Sequence, residues 1–390
     1  MMQTQRQFWR GSMVLLGCNT LAGILNYAFQ VMAARRLGVA DYGSLNLWIA
    51  DVTVALSVGT VAQMVANYFP MPPRSLRKFA YFAITLAILA STLICFVADK
   101  GLADGLFAGG MAVGLGLISG WLGGQVQARL LFGLLGGALV AGASLKLLVG
   151  GLGAFQGPLT NYYVAVSASF IAPILLIGGM SIAHPLGPMA EAREQQVKVK
   201  VICACLLAMA TALIPQLDII NLRQFQSSEV LGQYARVMLA AKAIFFGAAA
   251  ILQVALPFHL RAQDANLNQS ASGAIRKAEL TVVAACFVAS GCAALFLPWL
   301  SPMLFGFELA DFQGWILLTG VIASMQFALL QVIQRDCAKL AWVRAGKVLL
   351  AVGAVLIVGV FSPSLTVGTY LTAVAIYYAV ILALRMRTRA

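Results

Sequence analysis

Residues 25–47 read LNYAFQVMAARRLGVADYGSLNL, and this stretch decides the fold. It closes one apolar helix that carries Asn19, Asn26 and Gln30, turns through Arg35-Arg36-Leu37-Gly38 and Asp41-Tyr42-Gly43, and launches a second apolar helix with Asp51 inside it. Each helix lies in an apolar run of about 20 residues, the length that crosses the hydrocarbon of a bilayer. Polar side chains inside such helices need partners from other helices or from water, so this helix pair is expected to line a wet space.

The rest of the chain has the same character. Of 390 residues, 61% are hydrophobic and 10% charged, and the mean hydropathy is +0.89. This is the composition of an integral membrane protein; a soluble chain this apolar would aggregate. The seven cysteines fall in or beside apolar runs, and only two histidines are available. They read as small helix-packing residues, with no disulfide framework and no metal site. Arg6 and Arg10 precede an apolar run of about 23 residues, too long for a signal-peptide core, which is therefore kept as the first span.

Runs of membrane-crossing length predict an all-α polytopic membrane protein with about twelve spans. They lie near 12–34, 45–68, 79–98, 106–126, 130–152, 159–182, 199–220, 231–256, 278–299, 312–334, 340–361 and 365–384. The net charge of +13 comes from basic residues scattered between these runs, the pattern of topology signals rather than of nucleic-acid binding. Most Lys and Arg fall on the side of the N-terminus, which sets both termini in the cytoplasm. Only Arg35, Arg36, Lys100 and Arg223 lie opposite, and Lys146, Arg236 and Lys242 lie within spans. The turn at Arg35-Arg36 is then extracytoplasmic, and its two arginines defy the charge rule, as if held for another reason.

The longest connection, HPLGPMAEAREQQVK at residues 184–198, reads as a cytoplasmic linker between a first lobe of six spans (1–183) and a second (199–390). Gly38-x-x-x-Tyr42-Gly43 before span two is echoed before span eight by Ser228 to Tyr234, with Gly232 lying 189 residues after Gly43. Two six-helix lobes related by a parallel repeat are a known transporter plan, with the substrate path between the halves.

An ionisable group at membrane depth costs several kcal/mol by most scales and wants an explanation. Asp51, Lys146, Asp218 and Arg236 fall in the outer half of their spans, and Lys242 falls near the midplane. Asp51 with Lys146, and Asp218 with Arg236, can be ion pairs that lock helices, or they can face a cavity. Lys242 is too deep to reach the interface and is expected to face the cavity. Asn26 and Gln30 in span one and Gln331 and Gln334 in span ten are expected to add hydrogen-bonding groups to the same wall. The glycines at 109–137 are expected to let helices approach closely, and Pro173, Pro215, Pro257 and Pro298 to act as kinks or hinges.

These residues resemble the polysaccharide flippase (Wzx-type) family of the multidrug/oligosaccharidyl-lipid/polysaccharide exporter superfamily. Ala34-Arg35-Arg36-Leu37-Gly38 with Tyr42-Gly43 is similar to the family's pattern after its first helix. Leu217-Asp218-Ile219-Ile220, Ser227-Ser228-Glu229, Gly232, Tyr234 and Pro257 are similar to its seventh and eighth helices, and 125–157, with Lys146, to its fourth and fifth. The resemblance implies a cytoplasmic (inner) membrane flippase that carries an undecaprenyl-pyrophosphate-linked oligosaccharide outward by alternating access. It also implies membrane lipids, a polysaccharide polymerase and export machinery as partners. A pyrophosphate needs cations, so Lys242, Lys146 and Arg236 are the residues expected to hold it. Asp51 and Asp218 are the candidates for ion coupling.

The nearest rival is a cation-coupled small-molecule or drug exporter of the same superfamily, which would favour acids in its cavity. Three in-span cations against two acids lean toward an anionic cargo. No cofactor is expected. An enzyme is not expected either, because no paired carboxylates and no His beside an acid stand outside the spans.

Overall fold

The first helix, α1 (Met2–Arg36), ends on the two arginines, and α2 (Val39–Ala55) begins two residues later with Asp41 in its first turn. Cations at a helix C-terminus and an anion at the next N-terminus both oppose the partial charges of the helix ends, so the turn is favoured locally. The backbone N–H of Leu37 donates to Ala33 O and that of Tyr42 to Gly38 O, each at 2.9 Å.

The structure is a computed structural model that describes residues 2–68, 103–153, 158–183, 197–224, 226–264, 269–305, 308–355 and 366–387. After α2 come α3 (Ser57–Tyr68), α4 (Ala103–Ala128), α5 (Phe132–Leu152), α6 (Pro158–Ala168), α7 (Ile171–Ala183) and α8 (Val197–Leu213). A 3-10 turn at Ile214–Gln216 leads to α9 (Leu217–Leu222), then α10 (Ser228–Asp264), α11 (Gln269–Phe305), α12 (Gln313–Ala338), α13 (Trp342–Gly353) and α14 (Val367–Arg387). The described residues contain helices and no strand, and eight stretches are long and apolar enough to cross a membrane. They fall at eight of the expected positions. The fourth, eighth and eleventh positions hold α4, α10 and α13, while the third span (79–98) and all but the last two residues of the 184–198 linker lie outside the described residues.

By its packing the chain divides into two compact units: residues 1–29 with 51–212, and residues 30–50 with 213–390. The division differs from a cut at the linker in two ways. The turn at 30–50 belongs with the second unit, and most of α8 belongs with the first.

In the first unit α3 lies against α4 along a stripe of small residues. A Cβ on Gly120 would stand 2.2 Å from Gly59 O, and one on Gly124 2.3 Å from Gln63 O. The spacing of four puts Gly116, Gly120 and Gly124 on one helix face, so the backbones meet directly. Ala62, Ala66, Val113, Leu117 and Trp121 complete that core, and Gln63 Nε2 donates to Gln127 Oε1 at 2.9 Å. Proline explains the break between α6 and α7. Pro173 has no N–H to give to Ser169, four residues back, and its ring crowds that carbonyl. Pro215 likewise separates α8 from α9, whereas α10 runs on through Pro257 and α11 through Pro298.

The second unit repeats a detail of the first. Helices α4 and α12 are both 26 residues long and end in the same turn. Ala128-Arg129-Leu130-Leu131-Phe132 matches Ala338-Lys339-Leu340-Ala341-Trp342. Leu130 and Leu340 both take the left-handed conformation, at φ 60° and 54°. The following N–H closes back five residues in each, Leu131 N to Val126 O at 3.1 Å and Ala341 N to Asp336 O at 2.8 Å. This turn is the clearest mark of a parallel repeat in the chain. A left-handed leucine is strained, and a β-branched residue there is more so. Leu340→Val is therefore expected to cost about 1–2 kcal/mol while Leu340→Gly is neutral or mildly stabilising, as read by thermal unfolding in detergent.

Candidate functional site

The site is built at the break that Pro215 makes. Because span seven restarts at Leu217, Asp218 falls in the first turn of α9, where the free N–H groups favour an anion. Asp218 is 7% exposed, and the hydroxyl of the fully buried Tyr234 on α10 donates to its Oδ2. Asn221, one turn on, donates from Nδ2 to Val355 O at 2.8 Å and to the Tyr370 hydroxyl at 3.1 Å. Tyr370 and Tyr378 on α14 are buried within electrostatic reach of the Asp218 carboxylate. Gln326 on α12 donates to Ile214 O at 2.8 Å, a carbonyl of the 3-10 turn.

Asp218 also lines a small pocket with Pro215, Met238, Phe245, Thr319, Ile322, Ala323 and Gln326. Three polar groups, the carboxylate, a hydroxyl and an amide, stand among apolar neighbours. The carboxylate, hydroxyl and amide oxygens gathered there are ligands of the kind a small hard cation takes.

The other residues expected at a site are distributed as follows. Lys146 Nζ donates to Asn26 Oδ1 at 3.1 Å and stands 4.3 Å from the centre of the Phe29 ring, which meets Tyr162 edge-on at 5.5 Å. These four sit together in the first unit. Gln30 is in the second, where its Oε1 accepts from the Tyr42 hydroxyl at 3.2 Å. Arg236, half-buried on α10, lies within electrostatic reach of Tyr42. Asp51 is exposed on α2. Lys242 lies on α10, and its side chain is outside the described residues.

Gln331 and Gln334 are 2% exposed, and both hand their amide hydrogens to backbone carbonyls of neighbouring helices, Glu279 O at 3.1 Å and Leu252 O at 2.8 Å. Both lie in the packed interior of the second unit. Of the fingerprint residues, Gly43 and Gly232 touch. A Cβ on Gly43 would be 3.0 Å from Gly232 N, and one on Gly232 would be 2.1 Å from Val39 O. Gly38 has open space around it.

Arg35 Nη2 donates to Met303 O at 2.8 Å, near the end of α11. That bond gives Arg35 a structural role: it supplies a donor to a carbonyl in the last helical turn. Arg35→Gln is expected to lower stability by about 0.5 kcal/mol, little because the group is exposed, as read in the same melting assay.

The residues that sequence reasoning missed are Asn221, Thr319, Tyr370 and Tyr378. The two tyrosines stand eight residues apart on one face of α14, with the buried Val374 between them. That spacing is the signal they offered.

No protein-family model and no curated protein matches the sequence. Solved structures do. A MATE in complex with MaL6 is similar over 98% of this chain and 95% of its own, at TM-score 0.66 and 14% identity. The chain has the fold of the MATE transporters. A MOP superfamily transporter from Pyrococcus furiosus Vc1 (DSM3638), described as having a binding pocket of reversed polarity, is similar over the same shares at TM-score 0.65 and 13% identity. The outward-facing form of a multidrug resistance MATE family transporter of the MOP superfamily is similar at TM-score 0.61 and 12% identity, again over 98% and 95%. The helical fold that the flippase resemblance implied is the one these structures share. These structures are described as MATE or MOP superfamily transporters, and none of the three as a polysaccharide flippase.

Proposed function

We propose that this chain is a multi-pass transporter of the cytoplasmic membrane, with both termini inside, that exports a small organic cargo by alternating access driven by a cation. The observation that carries the reading is Asp218, a buried carboxylate at a broken helix, bonded by Tyr234 and opening on a pocket with Thr319 and Gln326. A carboxylate that binds and releases a cation inside a helical unit gives such a protein its coupling. The fold shared with multidrug resistance MATE transporters supports the same reading.

The rival cargo, an undecaprenyl-pyrophosphate-linked oligosaccharide, rested on in-span cations and an amide wall. Lys146 is engaged by Asn26 and Phe29, and Gln331 and Gln334 are spent on backbone carbonyls. Those groups are committed to holding helices together, which weakens that reading.

Reconstitution into liposomes with an imposed sodium or proton gradient tests the choice. Gradient-dependent movement of a fluorescent organic cation such as ethidium is expected. Gradient-independent movement of a lipid-linked oligosaccharide, with none of the organic cation, would overturn the proposal and restore the flippase reading.

A further inference from the structure

A second group of ionisable residues lies in the second unit, far from Asp218. On α10, His259 stands 25 residues beyond Tyr234, roughly 37 Å along the helix at its ordinary rise. There His259 Nε2 is 3.2 Å from Glu279 Oε1, and Glu279 Oε2 is 3.6 Å from Arg335 Nε. Three helices, α10, α11 and α12, each contribute one member. The Glu279 side chain is 1% exposed, whereas His259 is 15% and Arg335 20% exposed, so the carboxylate is enclosed and the imidazole reaches the surface.

The cluster is braced. Gln331 Nε2 donates to the backbone carbonyl of Glu279, and Arg335 Nε donates to Gln331 O at 3.2 Å. Among the described residues, the charged groups presented to His259 are Glu279 from α11 and Arg335 from α12. Asp336, beside Arg335, is paired with Arg385 of α14, and Lys277 is exposed.

We propose that His259, Glu279 and Arg335 form a proton-binding latch that fastens the end of α10 to α11 and α12. With the imidazole neutral, its Nε2–H donates to a carboxylate whose charge is balanced by Arg335. A proton taken from solvent on Nδ1 makes the imidazole cationic, and the same Nε2–H···Oε1 bond becomes charge-assisted, shorter and stronger. Histidine is the side chain that changes charge between pH 5 and 8. The sign follows: the latch is tight at the acid end of that range and slackens as the proton leaves. Because α10 is one continuous helix that carries Tyr234, Met238 and Phe245 toward its other end, the latch sets how firmly one wall of the Asp218 pocket is anchored.

Hydrogen–deuterium exchange on the full chain in detergent, corrected for intrinsic rates, tests this without knowledge of the cargo. In the wild type, the segments around His259 and Glu279 are expected to exchange about ten-fold more slowly at pH 5.5 than at pH 8. His259→Gln, which keeps an N–H donor but cannot charge, is expected to lose that difference while melting within a few degrees of the wild type. Glu279→Gln is expected to lose it too. Equal protection at both pH values in the wild type, or an undiminished difference in His259→Gln, would overturn the latch. Neither result bears on the transport reading, which the gradient experiment tests separately.

Discussion

Gly232→Ala is expected to be among the most damaging single changes in this chain, costing about 3 kcal/mol or more. The added Cβ would stand 2.1 Å from Val39 O and 2.8 Å from Val39 Cγ1. Real Cβ atoms do not come that close to a carbonyl oxygen, and the oxygen belongs to the first turn of α2, so no flexible side chain can swing away. Relief requires α2 and α10 to move apart. That separation would also disturb what they hold in place: Tyr42 and Leu45 are fully buried on α2, and Tyr234 is fully buried on α10.

The opposite face of the crossing is more forgiving. A Cβ on Gly43 would lie 2.8 Å from Ser228 O and 3.0 Å from Gly232 N, so Gly43→Ala is expected to destabilise by a smaller amount of the same sign. Gly38→Ala is the control, since nothing lies within 4 Å of its added atom, and it should melt with the wild type. Thermal unfolding of the purified protein in detergent reads all three. A Gly232→Ala variant that melts with the wild type would mean that the α2–α10 crossing is looser than the structure has it.

That crossing marks where the sequence was legible and where it stopped being so. Gly43 and Gly232 stand out in the chain as an echo, each at a helix start near a tyrosine. Their likeness suggests equivalent positions in two halves, and only the fold makes them neighbours, because contact between residues 189 apart leaves no local trace. The spans were legible for a plain reason: runs of about 20 apolar residues have few other homes. The unit boundaries near residues 29 and 50 fall inside apolar helices, where no change in composition announces them.

Gln331 and Gln334 show the limit for polar groups. Spacing fixes which face of α12 they share, but not whether that face meets water or a backbone carbonyl. The left-handed Leu130 and Leu340 were hidden differently. Leucine is not a turn residue, so only the repetition of Ala-Arg-Leu and Ala-Lys-Leu could have drawn attention to them. His259 and Glu279 escaped because they lie 20 residues apart in sequence and meet only when α10 and α11 pack side by side.

The second large effect concerns Asp218. Asp218→Asn keeps the size of the side chain and retains an oxygen to accept the Tyr234 hydroxyl, so the packing around Asn221, Tyr370 and Gln326 has little reason to change. What it removes is the charge. If a cation is bound there and released as the transporter alternates, the variant should fold and melt close to the wild type but lose its response to an imposed sodium or proton gradient, with gradient-driven cargo movement falling at least about ten-fold. Tyr234→Phe makes the complementary change, keeping the charge and removing its hydrogen-bond donor. It is expected to retain a gradient response with a shifted cation dependence, because a carboxylate without that donor holds its cation and its proton differently. The same measurement on Asp51→Asn distinguishes the exposed carboxylate of α2 from the buried one of α9. A gradient response left intact in Asp218→Asn would remove the coupling role from this site, whatever the cargo proves to be.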